Sequence, residues 1–216
     1  MEEGEQEFLE RTCDENFGVR LDEKAVSRIG RFVDLLVLWN QRVRLTGERD
    51  RSILLRKHVI DSLACLPMLP FEGEGDVLDL GTGAGFPGAV LGCARPDLAM
   101  TLLDARQRPV SFLSEVIRSL PLPHARAVAM RGEEAAADPT LAGRQSVVTC
   151  RALRIDVFLP LAKPLLHPGG IAVSMQTPKL GPAMAAAIAR EHGFNIVDLR
   201  DYTLPDGEPR RLVVAR

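Results

Sequence analysis

Residues 76–91, DVLDLGTGAGFPGAVL, set a short apolar run directly against three glycines spaced by single residues. Gly81, Gly83 and Gly85 give up chain entropy and offer no side-chain contact, so placing them after a buried strand implies that something approaches that backbone. Phe86 and Pro87 then stand at the mouth of a helix. In a parallel sheet, ligands sit outside the carboxyl ends of the strands, where the strand order reverses. A helix starting there presents unpaired N–H groups and the positive end of its dipole. The loop reads as a cradle for a nucleotide-like cofactor.

A dinucleotide fingerprint would run G-x-G-x-x-G. Here the pattern is Asp79-x-Gly81-x-Gly83-x-Gly85, with a carboxylate two residues before the first glycine. That charge repels a pyrophosphate and suits the cationic amino group of S-adenosylmethionine. Asp104, in LLDARQ, closes the next strand and is placed to accept hydrogen bonds from both ribose hydroxyls. After the third strand, Arg131-Gly132-Glu133-Glu134 occupies the place where methyltransferases seat the adenine edge. Thr82 and Phe86 in the loop, with Glu134 and Arg151, complete the expected donor site.

The rest of the chain agrees with this plan. Residues 1–70 carry only helical periodicity, with Ala25, Val26, Ile29, Phe32, Val33, Leu36 and Val37 on one face and Ser27, Arg28, Arg31 and Asp34 on the other. A second helix is predicted over 51–66, closed by Pro67 and Pro70. From residue 75 the apolar runs DVLDL, MTLLD, RAVAM, SVVTC and GIAVSM each precede a helical stretch, the signature of βαβ units. FNIVDLRDYTL and RRLVVAR form a terminal strand pair. The expectation is an α/β, Rossmann-like S-adenosylmethionine-dependent methyltransferase fold. It combines a mostly parallel doubly wound sheet and an antiparallel terminal strand (71–216) with an N-terminal helical cap (1–70).

Composition narrows the setting. The chain has 216 residues, 46% of them hydrophobic, and a net charge of -2, which favours no anionic partner by itself. The N-terminus MEEGEQEFLE lacks the apolar region of a secretory signal, and no apolar run reaches the roughly 18 residues of a membrane span. Cys13, Cys65, Cys93 and Cys150 form no C-x-x-C pair and read as buried reduced thiols of a cytoplasmic protein, and a monomer is expected. His124, His167 and His192 lack metal-ligand spacing, so no metal is expected.

The methyl acceptor is read from the end of the fourth strand. Thr149-Cys150-Arg151-Ala152 stands where enzymes that methylate exocyclic amines carry an Asn/Asp-Pro-Pro-aromatic tetrad, and Cys150 lacks the neighbours of a cytosine-attacking nucleophile. Arg151 suits an acceptor that is already nucleophilic. Guanine N7 is one, because its in-plane lone pair attacks without losing a proton, and proximity and orientation then supply the rate. No His/Asp pair flanks the loop end in the sequence, and Arg131 is expected to join Arg151 in positioning the target nucleotide. His58, Asp61 and Ser62 invite a hydrolase triad, but on one helix they are local neighbours, better suited to packing the cap against the loop. The basic run at 42–58 fits a solvated face or a phosphate-binding stripe, with Arg42, Arg44, Arg51, Lys57 and His58 as candidate RNA contacts. Phe86 is the candidate for stacking an extruded base, and Trp39 is assigned to the core.

HVIDSL (58–63), DLGTGAGFPG (79–88), LLDARQRPVSFL (102–113), RGEE (131–134), CRA (150–152) and LWN (38–40) with LT (45–46) resemble the RsmG/GidB family, bacterial enzymes that methylate N7 of a guanine in small-subunit ribosomal RNA. The resemblance implies S-adenosylmethionine as donor and ribosomal RNA or the small subunit as partner. The chain departs from the family at Arg44 (usually Asn), at Arg108-Pro109 (usually Lys-Arg) and at Gln176 (usually Lys). Two other readings stand beside this one: a ribosome-binding assembly factor that kept the donor pocket, and a small-molecule methyltransferase whose 42–58 stripe would face away from the pocket mouth.

Overall fold

The computed structural model describes residues 3–70 and 75–216. The chain opens with α1 (Glu3–Phe17) and α2 (Glu23–Asn40). Asp22 starts α2 by accepting a hydrogen bond from the Ala25 amide, and the predicted stripe turns inward with Ile29, Phe32, Val33 and Leu36 fully buried. Arg28 corrects the assignment of a solvent face. It is buried, and its Nε donates to the Cys93 carbonyl at 2.6 Å. The helix α1 has no counterpart among the predicted elements; among its described side chains only Leu9 and Cys13, one turn apart, are fully buried.

The predicted helix at 51–66 is a composite. Asp50 caps α3 (Arg51–Ile53), a π-helical turn spans Leu54–Val59, and α4 (Ile60–Leu63) completes it before a 3₁₀ turn at Leu66–Met68. Asn40 fixes the loop that leads there. Its side-chain oxygen accepts from the Leu45 and Thr46 amides, and its amide group donates to the Thr46 and Glu48 carbonyls.

Strands and helices then alternate: β1 (Asp76–Leu80), α5 (Gly88–Ala94), β2 (Ala99–Asp104), α6 (Gln107–Ser119), β3 (Ala125–Ala129), α7 (Gly132–Ala137), β4 (Gln145–Cys150), α8 (Ile155–Ala162), β5 (Leu166–Gln176), α9 (Pro182–Glu191), β6 (Ile196–Thr203) and β7 (Pro209–Ala215). The seven strands lie in the order β3-β2-β1-β4-β5-β7-β6. β1 to β5 are parallel, and β7 runs antiparallel between β5 and β6. The order reverses between β1 and β4, which places the ligand crevice at their carboxyl ends.

Two apolar layers cover the sheet. On one face α1, α2, the Arg51–Leu63 segment, α5 and α6 share a single core with Val77, Met100, Leu102, Val147 and Val173 of the strands. On the other face α7, α8 and α9 pack on Leu78, Val148 and Val213. The helical cap is therefore one wall of the same core that holds the sheet.

Candidate active site

The glycine loop is tied down by backbone bonds. The Gly81 and Thr82 amides both donate to the Leu103 carbonyl, at 2.8 and 3.0 Å, and the Gly85 and Phe86 amides donate to the Thr82 carbonyl. Gly81 takes φ +76, and no atom lies within 4 Å of where its Cβ would stand, so this position faces open space. Gly85 differs from Gly81 in its surroundings. At φ +99 it is packed so closely that a Cβ would lie 2.8 Å from Ala89, 3.0 Å from Leu113 and 3.1 Å from Phe32. The bare Cα there serves close packing against α5, α6 and Phe32 of the cap. Gly88, which sequence reasoning missed, is bare because a Cβ there would fall 2.7 Å from the Asp79 carboxylate.

Asp79 is fully buried at the end of β1. Its Oδ2 accepts from the Gly88 amide at 2.8 Å, so the start of α5 is partly satisfied from within the chain. Its Oδ1 has no hydrogen-bond partner, and the buried hydroxyls of Thr82 and Thr149 lack one too. Burial pushes the Asp79 carboxyl up to about 6, against the opposing pull of the Gly88 amide and Arg151. An orphaned carboxylate oxygen beside an open glycine suits a ligand carrying a cationic amine, and the residues present fit S-adenosylmethionine on that count.

Asp104 is nearly buried and turned toward the loop. It accepts from the Gly83 amide at 2.9 Å, from the Arg106 amide at 2.9 Å, and from the Arg106 guanidinium at 3.0 and 3.1 Å. Despite burial, these donors hold its carboxyl below the usual range. Arg106, which no sequence motif singles out, thus shares the carboxylate assigned to a ribose.

Leu80, Gly81, Leu103, Met130, Arg131, Gly132, Glu133 and Leu153 line a cleft of about 210 Å³ over the ends of β1 to β3, where the adenine was expected. Glu134 instead accepts from the Arg131 amide at 3.0 Å and caps α7. Arg131 lies in this cleft, while Arg151 lines a different one, so the structure does not pair them.

The second cleft, of about 600 Å³, is lined by His58, Asp61, Arg151, Leu153, Gln176, Glu208 and Arg210 among others. Leu153 borders both clefts. Arg151 Nη1 stands 3.1 Å from His58 Nδ1 and 3.5 Å from Asp61 Oδ2. Burial and the neighbouring Arg151 lower His58 to about 4, so its ring is neutral at neutral pH. Asp61 Oδ1 accepts from the Tyr202 hydroxyl at 2.7 Å. A His and an Asp do flank the loop end in three dimensions, contrary to the linear reading, but Asp61 holds Tyr202 and Arg151 and is not hydrogen-bonded to His58. Ser62 Oγ donates to the His58 carbonyl at 2.7 Å, which excludes a nucleophilic triad. Gln176 donates to the Leu153 carbonyl at 3.0 Å and steadies the shared wall.

Phe86 is not an exposed stacking platform. It is buried edge-on to Phe32, and its ring carries His58 at 5.1 Å and the Arg151 guanidinium at 5.0 Å. Trp39 packs on Phe112, as expected of a core residue. The basic run divides. Arg51 turns inward to Glu5 and Asp34, Arg56 lies over Phe8, and Lys57 pairs with Glu208. Arg42, Arg44 and Arg49 are exposed. Lys57 and His58 border a third hollow that adjoins the Arg151 cleft at His58, so part of the stripe does face the mouth. All four cysteines are free and buried, and no group of side chains that could hold a metal occurs among the described residues. No described helix is long and apolar enough to cross a membrane.

Among solved structures, the fold is similar to a Leishmania major S-adenosylmethionine-dependent methyltransferase (TM-score 0.59, 13% identity, covering 88% of this chain and 83% of that one). It is also similar to Aeropyrum pernix fibrillarin with bound S-adenosylmethionine (TM-score 0.56, 14% identity, 71% and 74%). At the level of sequence, the chain is 36% identical over 190 residues to "Ribosomal RNA small subunit methyltransferase G" of Anaeromyxobacter sp. (strain Fw109-5), covering 88% of this chain and 87% of that protein. It is 33% identical over 207 residues to the protein of the same name from Symbiobacterium thermophilum, covering 92% and 84%. The family model GidB, rRNA small subunit methyltransferase G, matches residues 25–187, a span that includes the glycine loop, Asp104, Arg131 and Arg151. With a methyltransferase sheet, a donor-shaped loop and this match over most of its length, the chain belongs to the rRNA small subunit methyltransferase G family.

Proposed function

We propose that this chain transfers the methyl group of S-adenosylmethionine to N7 of a guanine in small-subunit ribosomal RNA. The observation that carries the reading is the pair of clefts meeting at Leu153. One is lined by open Gly81, two residues along the chain from the buried Asp79 with its unpartnered oxygen, and the other is walled by the Arg151 cluster. When bound, S-adenosylmethionine supplies a methyl group activated by its sulfonium. Asp79 and Gly81 hold the methionine end, Asp104 the ribose, and Gly132 and Glu133 the adenine edge. Arg151, fixed by His58 and Asp61, orients the acceptor. A neutral His58 and a committed Asp61 leave no ready base, which suits N7, whose attack releases no proton. The rate then comes from alignment in a site that excludes water. The acceptor is the small ribosomal subunit or its RNA, and the protein acts as a cytoplasmic monomer.

The test is transfer from tritiated S-adenosylmethionine to small subunits lacking the modification, followed by mass-spectrometric mapping of methylated guanines. A single new 7-methylguanosine supports the reading. Donor binding without transfer favours an assembly factor and overturns it.

A further inference from the structure

Arg210, at the start of β7, lines the Arg151 cleft but has been given no role in it so far. Its side chain is only 17% exposed and faces the Arg151 cleft. Its Nε lies 3.6 Å from Asp61 Oδ1, while Arg151 Nη1 lies 3.5 Å from Asp61 Oδ2. One buried carboxylate therefore steadies two guanidiniums, one just past the end of β4 and one at the start of β7, and Tyr202 fixes that carboxylate in turn. Asp61 balances one of the two positive charges. The other is met by Glu208, whose carboxylate bridges Arg210 and Lys57 at the rim, where Asp206 also stands 4.0 Å from Lys57. Glu208 is 42% exposed, and its backbone is held by the turn itself. The Leu204 amide donates to its carbonyl at 3.0 Å, and its own amide donates to Asp206 at 3.0 Å. The side chain can leave without moving the turn.

Two cations bridged by one partly exposed carboxylate at the mouth of a cleft match the charge and hydrogen-bonding pattern of a phosphodiester. We propose that Arg210 is a substrate-positioning residue: with Lys57 it seats a backbone phosphate of the RNA acceptor next to Arg151, and Glu208 holds that seat until RNA displaces it. The proposal rests on the reading of RNA as the acceptor.

The experiment measures binding and methylation of small ribosomal subunits by the full chain across a salt series, with the donor dissociation constant of each variant as the check of folding. Arg210→Ala is expected to raise KM for subunits about tenfold with little change in kcat. It is also expected to flatten the dependence of log affinity on log salt by about 0.7–0.9, the increment for one phosphate left unneutralised. Glu208→Gln is expected to tighten binding several-fold and steepen that dependence. Wild-type KM and slope in Arg210→Ala, or weakened binding in Glu208→Gln, overturns the proposal. If Arg210→Ala loses donor binding through misfolding, Glu208→Gln decides alone. Failure of the wild-type chain to methylate subunits at all is a separate result, which strikes the acceptor reading itself.

Discussion

Asp79 keeps a carboxylate out of water with one oxygen unpartnered, a costly state that the folded chain tolerates. The unfolded chain ionises this group near 3.8 and the folded chain near 6. Between those values the folded state holds the proton more tightly, so stability falls as pH rises, by about 3 kcal/mol in all above pH 6. Asp79→Asn is therefore expected to raise the urea midpoint at pH 7.5, to lose that advantage below pH 4, and to weaken donor binding. An unchanged midpoint at pH 7.5 would count against the assignment. Asp104→Ala should weaken the donor by about 1–3 kcal/mol in a calorimetric titration. Arg106→Ala should instead tighten it, by up to about fivefold, because it frees the carboxylate from its ion pair with an exposed guanidinium. The places of Asp79 and Asp104 in the fold were legible in the sequence because both sit at fixed offsets from a strand and a glycine loop. Arg210, Tyr202 and Asn40 were not, since their roles depend on contacts made only once distant segments meet.

At the scale of elements, the strands, their parallel order and the terminal antiparallel pair followed from apolar runs interleaved with helical stretches. The helix α1 was hidden by its acidic composition, and the π-helical turn by a pattern that periodicity cannot distinguish from an α-helix. The loop glycines looked equivalent in the sequence and are not, because only packing tells them apart. Gly81→Ala adds strain at a positive φ but meets no atom, whereas Gly85→Ala also drives a methyl group into Phe32 and Leu113. Thermal melts should show Gly85→Ala costing about 2–4 kcal/mol and Gly81→Ala about 1–2 kcal/mol. Donor affinity should fall in Gly81→Ala even where its fold is intact. Equal melting temperatures for the two would refute the distinction.

For the molecule as a whole, a net charge of -2 leaves RNA contact to local cations, and the structure divides those by orientation. Arg42 and Arg44 are exposed on the loop after α2, whereas Arg51 is spent on Glu5 and Asp34. Arg42→Ala with Arg44→Ala is expected to weaken subunit binding and to lower its salt dependence by about 0.7–0.9 for each phosphate that then goes unmatched. Arg51→Ala is expected to leave that dependence intact and to cost at most about 1 kcal/mol in stability. Filter binding at several salt concentrations separates the two outcomes, and a flattened slope in Arg51→Ala would reverse the division. Charge along the sequence revealed the cluster but not the direction of each side chain, which α1 and the 204–208 turn decide.

Phe32 of α2 touches both the bend at Gly85 and the ring of Phe86, on which His58 and Arg151 rest. The cap is thus not an exchangeable adaptor. Grafting a foreign recognition module in its place would re-cut the donor bend in the same stroke. Redirecting this scaffold toward another nucleotide is better attempted at 41–50 and 204–208, whose exposed residues can vary without disturbing that shared floor.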